Sequence, residues 1–157
     1  DIPEGDATLD ILVENMGRVN FGTKLLDRKG ITHGVTLGSQ YLFGWEIYPL
    51  PFQDISGLKF GAASATPTGI PYFWRGRFSV ANPADTFLDL PGWIKGVAWL
   101  NRINLGRYWK RGPQQTLYIP ASLLHEGDNE LVVLELHGQE KPVVELVDRP
   151  ILNQRRK

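Results

Sequence analysis

Residues 97–109 read VAWLNRINLGRYW, and how this stretch is read decides the architecture. Asn101-Arg102 has the length of a two-residue hairpin loop between two apolar runs. A hairpin here pairs Leu100 with Ile103. It also sets Val97 and Trp99 on one face of a sheet and Ala98 and Leu100 on the other. Asparagine enters the left-handed backbone region readily and arginine does not. A type I′ turn at this position is therefore expected to cost on the order of 1 kcal/mol relative to Asn-Gly.

The same period of two recurs outward from that hairpin. LDILVEN (9–15) would share Leu9, Ile11 and Val13 on one face, GITHGVTLG (30–38) carries Ile31, Val35 and Leu37, and FGWEIYPL (43–50) carries Trp45 and Ile47. From residue 71 onward, PYFWRGRFSV, DTFLDL, KGVAWLN, INLGRYW, QTLYIP, NELVVLELHG and PVVELVD predict seven strands. Turn clusters such as Ala81-Asn82-Pro83-Ala84 and Gly127-Asp128-Asn129 separate them. So many short strands predict an all-β fold, an antiparallel jelly-roll sandwich, here taken as one domain over 1–157. A single helical turn is expected at 120–124. Residues 51–70, rich in Pro, Gly, Ser and Ala, read as a long surface loop and the most mobile part of the chain.

Composition excludes several partner classes. The 157 residues carry 17 basic and 17 acidic side chains, a formal net charge of zero that offers no field to draw in nucleic acid. The basic tail Arg155-Arg156-Lys157 reads as a solvated end. There are no cysteines, which removes disulfides, zinc thiolates and thiol catalysis, and no Asn-x-Ser/Thr acceptor occurs. No apolar run approaches the roughly 20 residues that span a bilayer, so no membrane is expected. The chain opens DIPEGDATLDILV, without Met and with a predicted strand by residue 9, as a piece of something longer would. The lack of sequons and cysteines suggests a bacterial periplasmic or secreted source, with the lysosome the expectation for an animal one.

Several blocks in order, LDILVENMGRVNFG (9–22), DRKGI (27–31), WEIYPL (45–50), DTFLDLPGWIKGVAWLNRINLGRYW (85–109), GPQQTLYIP (112–120) and VELVDRPIL (144–152), closely resemble the C-terminal region of family 35 β-galactosidases. The similarity runs nearly end to end, with 51–70 the segment that has no clear counterpart. Arg102 departs from the glycine usual in that family. The resemblance implies the last, galactose-binding-like β-domain of an enzyme whose barrel holds two catalytic glutamates. It makes that barrel and the other β-domain the expected partners, and galactosides a possible ligand.

The residues themselves offer no catalytic centre. A retaining glycosidase needs two carboxyls about 5 Å apart, usually on a scaffold of about 250 residues. Nothing here follows the strand–helix repeat of such a barrel. Glu14 and Glu46 read as solvated or salt-bridged, and His33, His125 and His137 stand apart from one another and from acidic clusters at ligand spacing. Ser56, Ser64, Ser79 and Ser122 lack a nucleophile-elbow setting, Asp27-Arg28-Lys29-Gly30 reads as a charged turn, and Asp6, Asp10 and Asp128-Asn129 form no calcium loop. No catalytic residue, metal or cofactor is therefore expected. Aromatic rings beside basic groups remain as candidates, because a sugar's C–H face stacks on indole while its hydroxyls bond polar groups. Trp74, Arg75, Trp93, Arg107 and Trp109 are the carbohydrate-binding or interdomain candidates, with domain packing preferred over a glycan contact. Trp99, mid-strand, is expected in the core.

Overall fold

A computed structural model describes residues 5–15, 17, 19–62, 69–139 and 141–153. Ser64 and the tail Arg155-Arg156-Lys157 lie outside the described residues. The chain divides into two compact units, Asp1–Leu50 and Pro51–Lys157. One sandwich over 1–157 does not describe it.

The first unit holds little regular structure. Its only strands among the described residues are β1 (Thr36–Leu37) and β2 (Gln40–Tyr41), a hairpin pairing Thr36 with Tyr41 and Leu37 with Gln40. The expected strands at 9–15 and 43–50 are absent. Alternation alone does not make a strand, because the backbone needs a neighbouring ladder to satisfy its donors and acceptors. No described residue of this unit is buried, and Phe21, Phe43 and Ile47 are almost fully exposed at 89%, 87% and 88%. Glu46 accepts a hydrogen bond from the Tyr48 hydroxyl, and Lys29 pairs with Asp27 at 3.3 Å in the charged turn.

The second unit is an antiparallel β-sandwich, and all seven strands expected from residue 71 onward are present. They are β3 (Tyr72–Val80), β4 (Thr86–Asp89), β5 (Lys95–Leu100), β6 (Ile103–Trp109), β7 (Thr116–Ile119), β8 (Gly127–Glu135) and β9 (Glu145–Val147). One sheet runs β3-β8-β5-β6 and the other β7-β4-β9. The predicted helical turn is a 3-10 turn at Ala121–Leu123, whose first N–H is capped by Asp85. That N–H, and then the Tyr118 hydroxyl donating to the other oxygen, hold the Asp85 carboxyl below the usual carboxylate range.

Between the sheets, Leu88, Leu90, Trp93, Ala98, Leu100, Tyr108, Ile119 and Val133 form the main core. On the opposite face of the four-stranded sheet a second cluster gathers Trp99, Val132 and Leu134 under Ile55, Phe52, Leu58 and Phe60. Residues 51–62 are irregular, as the sequence suggests, yet they are anchored. Their apolar side chains form a strap over Trp99, which is 1% exposed and meets Phe52 and Phe73 at ring separations of 6.0 and 6.1 Å. Burying each such side chain contributes roughly 1.5–3 kcal/mol.

The 97–109 hairpin forms as expected, with Leu100 opposite Ile103 and Trp99 and Ala98 on opposite faces. Asn101 and Arg102 both take positive φ, 49° and 70°. Asn101 also ties the hairpin to its surroundings: its amide donates to Leu123 O and Asn129 Oδ1, both at 2.8 Å, and its oxygen accepts from Glu130 N. Arg102 is exposed and strained, so Arg102→Gly is expected to raise stability by about 1 kcal/mol in chemical denaturation. A loss of stability would contradict the strain argument.

Candidate functional site

The five candidate side chains do not converge. Trp93 lies in the turn between β4 and β5, where the chain folds it inward. It is 3% exposed, its indole N–H donates to Val143 O at 2.7 Å, and its ring meets Tyr108 edge-on at 6.3 Å. Neither a sugar nor a neighbouring domain reaches it, so its place near a turn misled the sequence reading. Trp74, on β3, is half-buried against the inter-sheet core and edge-on to Trp93 at 6.3 Å. Its indole nitrogen, like that of Trp99, is buried without an acceptor among the described residues. Each such orphan costs about 1–3 kcal/mol.

Arg75, one residue on, points to the other face. Its guanidinium stacks over Phe60 at 4.5 Å and helps hold the strap. Arg107 is exposed on β6. Only Trp109 keeps an accessible ring, 36% exposed at the end of β6, with Lys95 and Arg111 over it at 5.3 and 5.5 Å. Beside it opens a cavity of about 50 Å³, lined by Leu90, Gly92, Trp93, Tyr108, Trp109, Lys110 and Gln115. That space suits a water or two but not a pyranose ring, so a sugar would lie on the indole rather than enter the fold.

Sequence reasoning passed over a more built feature beneath this surface. Glu135 ends β8 fully buried, and its two carboxylate oxygens accept from Ile94 N at 2.8 Å, His137 N at 2.9 Å, Lys95 N at 3.4 Å and the Tyr108 hydroxyl at 3.1 Å. Burial first, and then the negative Glu135, push the Tyr108 phenol far above its ordinary value, so it stays a donor at any working pH. Donors from three parts of the chain saturate this carboxylate, which gives it the chemistry of an anchor rather than of an acid or base. The one available signal was a glutamate closing the apolar run Leu131-Val132-Val133-Leu134.

Among the described residues no group of three His, Asp or Glu side chains could hold a metal, and no helix is long and apolar enough to cross a membrane. His33 contacts the Thr32 hydroxyl, and Ser56 bonds Asp54. Asn129 closes its turn through His125 and Gly127 rather than holding a cation.

Comparison with known proteins accounts for the two-unit division. Residues 2–51 match the family model described as "Beta-galactosidase, first all-beta domain", and residues 71–129 match "Beta-galactosidase, galactose-binding domain". The expected galactose-binding-like β-domain is matched over residues 71–129, and residues 2–51 match a second β-domain of the same family. Bovine β-galactosidase is 43% identical over 173 residues, which cover 92% of this chain and 26% of the relative. Human β-galactosidase is 40% identical, with 93% and 26% covered, and a mouse "Beta-galactosidase-1-like protein" is 43% identical, with 92% and 24% covered. The chain thus spans about a quarter of the length of the curated relatives it matches. These relatives are mammalian and lend no support to a bacterial periplasmic source. With two β-galactosidase domain models matched in order along an otherwise all-β chain, this protein belongs to the β-galactosidase family and corresponds to its all-β and galactose-binding domains.

Proposed function

We propose that the chain is the C-terminal, non-catalytic β-region of an enzyme that hydrolyses terminal β-D-galactosides. A barrel outside residues 1–157 supplies the two catalytic glutamates, and the β-units stabilise and orient it. The observation that carries this reading is the ordered pair of domain matches on a chain spanning about a quarter of its relatives. The wet apolar side chains of the first unit agree with it, because rings such as Phe21 and Phe43 normally find cover against another domain. For an enzyme of animal type the compartment would be the lysosome. Purified chain, assayed alone on an aryl β-galactoside, is expected to give no turnover above buffer, whereas the full-length polypeptide hydrolyses it. Sustained turnover by the chain alone would defeat the reading.

A second reading, a galactose-binding module, has one observation behind it, the accessible indole of Trp109 between cationic neighbours. On that reading, millimolar galactose shifts the Trp109 resonances and Trp109→Ala abolishes the shift. Titration with galactose and lactose that leaves the spectrum unchanged removes it.

A further inference from the structure

The sandwich has an open side. Side chains alternate along β3, so Trp74, Gly76, Phe78 and Val80 face the inter-sheet core, and three of these four positions fill it. Gly76 does not: a Cβ built there meets nothing within 4 Å. The missing side chain leaves a notch of about 180 Å³ whose floor is Leu88, Leu100 and Ile119, all fully buried, with Leu131 beside them. Across the mouth stand Val144 and Leu146, 37% and 42% exposed, although β9 belongs to the other sheet. Along the same side, the nine residues of β3 pair with β8 only, and no described strand lies on their outer edge. A long edge next to an aliphatic hole is unfavourable on both counts when, as among the described residues, no strand pairs with its outer peptide groups and no side chain fills its apolar floor.

We propose that this edge and notch are a docking seam for an extended segment of the parent β-galactosidase lying outside residues 1–157, which pairs with β3 and seats one large apolar side chain over Gly76. This rests on reading the chain as part of that enzyme. The chain covers 26% of the bovine relative, so about three quarters of such a polypeptide remains to supply the segment. An aromatic or aliphatic side chain from an adjacent strand covering a glycine is a recurrent device in sheets. Free alkyl ligands suit the floor but leave the β3 peptide groups unpaired. A second copy fits worse: two β3 strands laid antiparallel about Gly76 bring Arg75 of one against Arg77 of the other on the same face, which like charges oppose.

Hydrogen exchange over Tyr72–Val80 tests the seam, compared between the 157-residue chain and the full-length polypeptide encoded with it. About half of the β3 amides are expected to exchange at least tenfold more slowly in the full-length protein. Gly76→Val should fill the notch and raise the melting temperature of the 157-residue chain by about 2–4 °C, while removing the added protection from the full-length protein. Equal exchange in both proteins overturns the seam, as does added protection that survives Gly76→Val. Protection in the short chain that grows with concentration assigns the edge to a second copy and likewise overturns it. Galactosidase activity separates the two failures: active full-length protein with an unprotected β3 defeats the seam alone, and inactive protein defeats the reading beneath it as well.

Discussion

Gly96→Ala is expected to leave the second unit without a stable sandwich. Gly96 lies in β5, an interior strand, opposite Glu135 of β8 on one side and Tyr108 of β6 on the other. A Cβ at this position would fall 1.7 Å from Leu134 O and 2.7 Å from the Tyr108 hydroxyl. The first contact is backbone and cannot swing away, so β5 and β8 must separate at the centre of their ladder. The second would drive Tyr108 off Leu134 O, from which its hydroxyl lies 3.0 Å. A loss above about 4 kcal/mol is expected, set against a total stability of about 5–15 kcal/mol for an ordinary domain. Near-ultraviolet dichroism and denaturant titration measure it. Gly57→Ala is the control, since its added methyl meets nothing within 4 Å and should change stability by less than about 1 kcal/mol. A cooperative Gly96→Ala transition within about 1 kcal/mol of the parent would mean that the two strands are not this close.

That crowding shows what a sequence can and cannot convey. The strands from Tyr72 to Val147 were legible because turn residues punctuate them and because the length of Asn101-Arg102 fixes the register beside the turn, Leu100 with Ile103 and Trp99 with Asn104, before a bulge shifts it between Trp99 and Ala98. The strap was not, because Phe52, Ile55, Leu58 and Phe60 follow no period and cover the sheet as an irregular coil. A trace of it did exist. Leu131-Val132-Val133-Leu134 and Val97-Ala98-Trp99-Leu100 are apolar at every position, which implies strands covered on both faces, whereas a two-layer sandwich explains only one. In the first unit the same alternation misled, since Leu9, Ile11 and Val13 need a neighbouring strand before the pattern has structural effect. For the candidate site, residue type was informative and depth was not. Trp93 and Trp109 both sit near strand ends, yet one is sealed under the β4–β5 turn and the other remains open.

The second large effect is expected at Glu135, where Glu135→Gln should cost about 2–4 kcal/mol despite its near-identical shape. Both carboxylate oxygens are in use, one facing the N–H groups of His137 and Lys95 and the other those of Ile94 and Lys95 together with the Tyr108 hydroxyl. Whichever way an amide is turned, its NH₂ meets a donor and leaves a buried N–H without an acceptor. Tyr108→Phe removes a single hydroxyl and leaves the carboxylate its three backbone donors, so its cost should be smaller, about 1–1.5 kcal/mol. The order of the two effects is the informative result. If the phenol were the main anchor, Tyr108→Phe would equal or exceed Glu135→Gln. If the carboxylate is, the glutamine variant dominates, and the double variant costs less than the sum because each single change already removes the charge-assisted Tyr108–Glu135 bond, while Leu134 O remains within reach of the hydroxyl. Urea midpoints for the four proteins decide between them, and a neutral Glu135→Gln would show that the turn at Ile94-Lys95 holds its shape without the charge.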